Sequence, residues 1–342
     1  MSPLVRAAAG LMAGGVAVVL AGIVLARSCD VIAARTRLGR VWVGSIFLAA
    51  ATSLPELTTD LAAVRIGAAD LAAGDLFGSS MANMLILAGI ALPPGAELFR
   101  RAALDHTLSG ALAILLNAIA ALAILLAPQA TVLGVGPGSL LLLVGYLAGT
   151  RVLFRHSAVA REAGVAIELG ALEAAPPAGR EAELPSLGGA VVRFLLASAA
   201  ILVAAPVFAS SAVRIAELTG IATSFIGTWL VGMTTSLPEL VTSVAAVRMG
   251  ALDLAVGNLL GSNAFNMVIL VPLDLAHGRA PLLAAISEVH AVTALVAIIM
   301  MAVAVGAVVY RSKVPGARLE SVSVLMIAIY LTGLLIVYGQ GG

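Results

Sequence analysis

A single cysteine, Cys29, stands in a chain of 342 residues, which excludes an intrachain disulfide and any cysteine-ligated metal cluster. Charge is equally scarce. Only 11% of residues are Asp, Glu, Lys or Arg, against about a quarter in soluble domains. Aromatics make up 4%, and no basic patch interleaved with them suggests a nucleic-acid surface. The net charge of +1 points to no class of partner. What is present is apolar: 61% of the chain is hydrophobic, more than a water-soluble core of this size can hide.

Apolar runs of about twenty residues suffice to cross a bilayer. Backbone groups in lipid must be paired within their own segment, so the spans are expected to be helices. Ten fit the pattern, at roughly 6–26, 42–64, 70–91, 104–127, 131–153, 189–210, 221–247, 253–275, 284–309 and 319–338. The first lacks a small-residue cleavage site and reads as a retained span, not a leader. The fourth and ninth open on polar residues, Asp105-His106 and Glu288 with His290, at nearly equivalent positions. Counting Lys and Arg in the loops puts four on the side of the N-terminus and fifteen on the other. The positive-inside rule therefore places both termini outside the cytoplasm, in a multi-pass protein of the cell (inner) membrane.

Thr52-Ser53-Leu54-Pro55-Glu56 returns as Thr235-Ser236-Leu237-Pro238-Glu239, an offset of 183. Without a gap, 52–87 and 235–270 share 24 identities in 36 positions, Pro, Glu, Arg, Asp, Asn and three Gly among them. Shared greasiness does not match those residues, so the chain is an internal duplication. Five spans separate corresponding points, and an odd number inverts one half relative to the other. The expected fold is all-α integral membrane: residues 1–154 form a first five-helix repeat, 155–187 a cytoplasmic linker, and 188–342 a second five-helix repeat. Inverted repeats are typical of secondary transporters, because they supply two related states open to opposite sides.

The repeated motif carries the chemistry. Pro55 and Pro238 each remove a backbone donor and break the helix, freeing carbonyls near Thr52 and Thr235. Such carbonyls are tolerated at membrane depth only around a polar cavity or in protein contact. One residue later stands a carboxylate, Glu56 or Glu239, and charge at this depth usually marks an ion path. With the hydroxyls of Thr52, Ser53, Thr235 and Ser236, these groups make an all-oxygen shell. That shell suits a hard cation such as Ca²⁺, which takes about six to eight oxygens, and not Zn²⁺, which prefers nitrogen and sulfur. The third and eighth spans supply an opposing wall, where Gly78-Ser79 and Gly261-Ser262 permit close helix approach. Ser79 with Asn83, and Ser262 with Asn266, lie four apart and share a helix face. Asp75 lies one turn before Ser79, but its repeat partner is the neutral Asn258. Asp60, whose partner is Ser243, reads as structural, as do Asn117 and Cys29.

The two motifs, with Gly74-Asp75-Leu76-Phe77-Gly78-Ser79 and Gly257-Asn258-Leu259-Leu260-Gly261-Ser262-Asn263, resemble the α-repeats of the cation/Ca²⁺ antiporters, especially the prokaryotic Na⁺/Ca²⁺ exchangers. The resemblance implies that Glu56 and Glu239 are shared Ca²⁺ and Na⁺ ligands. It implies carbonyl or hydroxyl oxygens from Thr52 and Thr235, Na⁺ sites lined by Ser53, Ser79, Ser236 and Ser262, and Na⁺-binding carbonyls at Ala49 and Gly232. Related exchangers often place an acid where Asn266 stands; here Asn83 and Asn266 are both amides. The H⁺/Ca²⁺ branch carries a further acid after its Gly-Asn pair, and Leu259, Leu260 and Gly261 offer none, which favours Na⁺ over H⁺ as counter-ion. The expected function is antiport of Ca²⁺ against Na⁺ at a shared midplane site, with a H⁺- or K⁺-linked exchanger and a cation channel as the alternatives. No enzyme, cofactor, nucleic-acid partner or required protein partner is implied.

Overall fold

The computed structural model describes residues 2–36, 38–92, 105–162, 185–219, 233–278, 280–313 and 320–340. Among these the chain is helical; the one extended pairing is an isolated bridge between Val132 and Val135. The helices are α1 (Pro3–Thr36), α2 (Arg40–Thr52), α3 (Leu54–Arg65), α4 (Ala69–Ala91), α5 (His106–Leu126), α6 (Pro137–Glu162), α7 (Leu187–Thr219), α8 (Leu237–Arg248), α9 (Leu252–His277), the short α10 (Leu282–Ala285), α11 (Val289–Lys313) and α12 (Glu320–Gln340). Seven of them are long and apolar enough to cross a membrane: α1, α4, α5, α6, α7, α9 and α11. Helices α2 and α3 pass the same test of length and hydropathy only when taken together, as an eighth candidate bent by 40°. Below that length fall α8, with 12 residues, and the apolar stretch Ser321–Val337 of α12. The expected seventh span lies partly outside the described residues.

Two expectations change. The ninth span was expected over 284–309; instead α10 ends at Ala285, Ile286 turns extended (φ −88°, ψ 161°), and α11 starts at Val289. The break has a partner: Ser287 N donates to Asp70 Oδ1 at 2.7 Å. The fifth span begins at Pro137, not near 131, because residues 132–135 close a tight turn with Leu133 and Gly134 at positive φ.

The order of burial sets the architecture. Helix α9 is 89% buried along its apolar window, while α1 and α7 are 28% and 22% buried. The main core joins α4, α5, α9, α11 and α12 through Met84, Leu87, Leu116, Leu270, Met300 and Tyr330. A smaller core joins α1, α2, α7 and α9 through Leu25, Cys29, Leu48, Ile201 and Leu254. Helices α1 and α7 run against each other with their outer faces bare. They meet where Gly14 approaches the backbone of Phe208 so closely that an added Cβ would sit 2.9 Å from its nitrogen.

A buried cage of oxygens at two mirrored helix breaks

Both copies of the repeated motif break their helix at the same residue. Ser53 has φ −87° and ψ 5°, and Ser236 has φ −79° and ψ 6°. The following proline occupies the first turn of α3 or α8, where its missing N–H costs nothing. Upstream of Ser53 the backbone widens into a π-helical turn at Val43–Leu48, a distortion frequent at functional sites. Glu56 and Glu239 thus fall in the first turn of a helix, at its positive dipole end, which favours a carboxylate.

The two carboxylates are fully buried, at 0% exposure, and close enough to interact electrostatically. Asp75 and Asp60 lie in the same field. Polar residues from both halves surround them. Ser53 Oγ donates to Glu239 Oε1 at 3.4 Å. Thr235 Oγ1 donates to Asp75 Oδ1 at 2.9 Å and lies 3.4 Å from Ser79 Oγ. In mirror image, Thr52 Oγ1 lies 3.3 Å from Asn258 Oδ1 and 3.4 Å from Ser262 Oγ. It also lies 3.1 Å from Leu48 O and 3.2 Å from Ala49 O, and its one proton serves only one of these acceptors at a time.

Several of these atoms have no protein partner: both oxygens of Glu56, Oε2 of Glu239, Oδ2 of Asp75, Oγ of Ser236, Oδ1 of Asn83 and both amide atoms of Asn266. Buried polar groups are ordinarily paired, so a cluster of orphaned oxygens in an apolar protein fits a cation. No three of Glu, Asp, His and Cys converge as a ready metal cluster among the described residues. The oxygens gathered here are hydroxyl, amide and carbonyl beside the carboxylates, a donor set chemically suited to Na⁺ or Ca²⁺.

Of the residues singled out in the sequence, Thr52, Ser53, Glu56, Asp75, Ser79, Asn83, Thr235, Ser236, Glu239, Ser262 and Asn266 are all buried. Ala49 O already accepts from Ser53 N at 3.0 Å and lies within reach of Thr52 Oγ1. Gly232 lies outside the described residues. The two glycine pairs differ. A methyl at Gly261 would overlap the backbone of Ser45, and one at Gly44 would come within 2.8 Å of Leu254 O, so α2 and α9 cross at glycines on both sides. Gly78 has no described atom within 4 Å; of the residues mirroring α2, 223–235, those at 223–232 lie outside the described ones.

Asp60 reads differently in three dimensions. It is 1% exposed, close enough to Asp75 for their charges to interact, and its Oδ2 has no partner. The second half has the corresponding pair, Asn258 and Ser243, joined at 3.1 Å. Asn263 belongs to the second motif but carried no role in the sequence, where its repeat partner is Ser80. It accepts from Asn83 Nδ2 at 2.9 Å and donates to Ser80 O at 3.1 Å, bridging α4 and α9 behind the cage. Asn117 sits behind it, 3.4 Å from Asn263 O.

Buried carboxylates at paired helix breaks, in a multi-pass helical membrane protein, define a carrier of cations. The family described as sodium/calcium exchanger protein matches residues 6–153 and 189–339, and the chain belongs to it. The inner membrane protein YrbG of Escherichia coli is 33% identical over 236 residues, 68% of this chain and 67% of that protein. The sodium/calcium exchanger MaX1 of Methanosarcina acetivorans is 42% identical over 84 residues, about a quarter of either chain (25% and 24%). In fold the chain resembles the sodium-calcium exchanger NCX_Mj soaked with 10 mM Na⁺ and zero Ca²⁺. The TM-score is 0.70 at 19% identity, over 97% of this chain and 99% of that one.

Proposed function

We propose that the protein exchanges Ca²⁺ for Na⁺ by alternating access at one shared site, with Glu56 and Glu239 as ligands of both ions. The observation that carries this reading is the complete burial of two carboxylates close enough to feel each other's charge, three of whose four oxygens have no protein partner. Two negative charges balance one Ca²⁺ or two Na⁺, so the ions compete for the same oxygens. A loaded site is near neutral and crosses the low-dielectric interior at small cost; the bare, doubly charged site does not. Thr52, Ser53, Ser79, Thr235, Ser236 and Ser262 supply hydroxyls, Asn83 and Asn266 amide oxygens, Ala49 and Gly232 carbonyls, and Asp75 an added charge.

The moving part is the pair α1 and α7. They are the least buried of the helices touching the cage and pack mainly on each other. Gly22 of α1 faces Val241 and Thr242 of α8 with no side chain to interlock, a smooth surface for sliding. The ten-span, inverted-repeat topology fits the matched 183-residue offset, with residues 1–154 and 188–342 as the halves, the linker cytoplasmic and both termini outside. No resident cofactor or partner protein enters this mechanism.

Uptake of ⁴⁵Ca²⁺ into proteoliposomes, with Na⁺, K⁺ and H⁺ gradients imposed one at a time, tests the reading. An outward Na⁺ gradient is expected to drive uptake. Uptake driven by a pH gradient in Na⁺-free medium identifies a H⁺-coupled exchanger instead, and flux indifferent to any counter-ion identifies a channel.

A further inference from the structure

A cavity of about 340 Å³ opens where the C-terminal part of α1 meets the start of α7, beside the end of α8. This volume is at the lower end of ligand-sized pockets, roughly 300–1,000 Å³. Its apolar wall includes Val24, Ala190 and Met249, and its charged lining is Arg27, Arg193 and Asp30. Asp30 is already held by Arg40, whose Nε lies 2.7 Å from Asp30 Oδ1. Neither Arg27 nor Arg193 pairs with a carboxylate among the described residues. Among the described residues, two guanidinium groups from adjacent helices therefore share one half-open cavity with no carboxylate paired to either.

The surroundings say what kind of anion fits. Val192, Leu195 and Leu196 beside Arg193, and Val24 beside Arg27, are exposed on helices whose outer faces are bare. A small aqueous anion gains nothing from that surface, whereas acyl chains cover it. Guanidinium groups grip phosphate through paired N–H donors. On the orientation proposed above, this end of the bundle faces the cytoplasmic leaflet, where anionic lipids concentrate, and basic pockets between helices on that side bind their headgroups. We propose that the cavity is a binding site for an anionic phospholipid, its phosphate between Arg27 and Arg193 and its acyl chains along α1 and α7. The bound lipid clasps α1 and α7 together at one membrane face. The site shares no residue with the oxygen cage, so it stands or falls apart from the transport reading.

The test uses the full chain in detergent micelles, with phosphatidylglycerol, phosphatidylcholine of the same acyl composition, and inorganic phosphate as probes. Lipid retention is read by native mass spectrometry and the unfolding midpoint by a thermal scan. Phosphatidylglycerol is expected to be retained over phosphatidylcholine and to raise the midpoint, inorganic phosphate at the same concentration to do neither, and added salt to weaken the effect. The double variant Arg27→Gln/Arg193→Gln is expected to lose the preference by roughly ten- to thirty-fold, as two basic contacts at a membrane surface imply. Arg27→Lys/Arg193→Lys, which keeps the charges, retains most of it. Arg214→Gln, at the other end of α7, leaves it unchanged. Equal retention of the two lipids by the unaltered protein, an undiminished preference in the Gln pair, or equal stabilisation by inorganic phosphate overturns the proposal. The comparison of lipids on the unaltered chain decides even where a variant fails to fold.

Discussion

Ser53 of the first half donates its hydroxyl to Glu239 of the second, 3.4 Å away, so the break in one repeat holds the acid of the other. The two motifs thus touch across the repeats. Replacing either acid by its amide, Glu56→Gln or Glu239→Gln, keeps the volume and removes half the charge that balances Ca²⁺. Each variant is expected to reduce Na⁺-driven ⁴⁵Ca²⁺ uptake to background while the protein still folds. Uptake near the unaltered level in either variant refutes the shared-ligand assignment.

Asp75 and Asn258 occupy the same place in the two repeats and receive the same contact, from Thr235 at 2.9 Å and Thr52 at 3.3 Å. Only one of the two is acidic, so the halves of the site differ by a charge. Asp75→Asn makes them alike and replaces a charge-assisted hydrogen bond by a neutral one. Exchange is expected to persist, with the Na⁺ concentration for half-maximal Ca²⁺ release raised several-fold, up to about ten-fold. The measurement is the Na⁺ dependence of Ca²⁺ efflux from preloaded vesicles; an unchanged midpoint removes Asp75 from the Na⁺ site.

The cage was largely legible in the sequence because duplication doubles its signal. A lone Ser, Asn or Pro in an apolar helix says little, but the same five residues returning at a fixed offset mark both breaks and both acids. Where the repeats diverge, that signal fails. Asn263 faces Ser80 in the alignment of the halves, and Asp60 faces Ser243, so the duplication gave neither a role, although Asn263 bridges α4 and α9 and Asp60 lies in the field of the buried acids. Helix limits were hidden for another reason. The break at Ile286 depends on Asp70, 217 positions away in sequence, accepting from Ser287 N, and no local periodicity records such a contact.

The crossing of α2 and α9 leaves room for hydrogen alone at Gly261. Gly261→Ala presses a methyl on the Ser45 backbone, which has no flexible end to yield. Overpacking of this kind costs about 1–3 kcal/mol. A lowered thermal midpoint is therefore expected for Gly261→Ala. An unchanged midpoint means that the crossing yields to a methyl.

Asp274, 1% exposed near the end of α9, accepts from Gly136 N at 2.8 Å and Leu282 N at 2.7 Å. It joins the turn before α6 to the start of α10. Asp274→Ala leaves two buried N–H groups without acceptors, at about 1–3 kcal/mol each. The expected outcome is a large fall in thermal stability and yield with no change in the Na⁺ dependence of whatever protein folds. A shift in ion dependence places Asp274 in the transport path instead.

The repeats also brace each other through two His–Asp pairs. Asp70 and Asp253 are repeat partners, each in the first turn of its helix, and each meets a histidine of the opposite half. His290 Nε2 lies 3.1 Å from Asp70 Oδ1, and His106 Nε2 lies 2.9 Å from Asp253 Oδ1. The pairs differ in burial: the side chains of His106 and Asp253 are 0% and 22% exposed, those of His290 and Asp70 13% and 62%. Exposed pairs contribute little, while breaking a buried one strands a polar group. Asp253→Ala is therefore expected to lower the thermal midpoint more than Asp70→Ala, even though Asp70 also caps Ser287. Adding His106→Ala to Asp253→Ala is expected to cost less than the two single losses together, the signature of direct coupling. Strict additivity across that cycle means the contact does not hold the halves together.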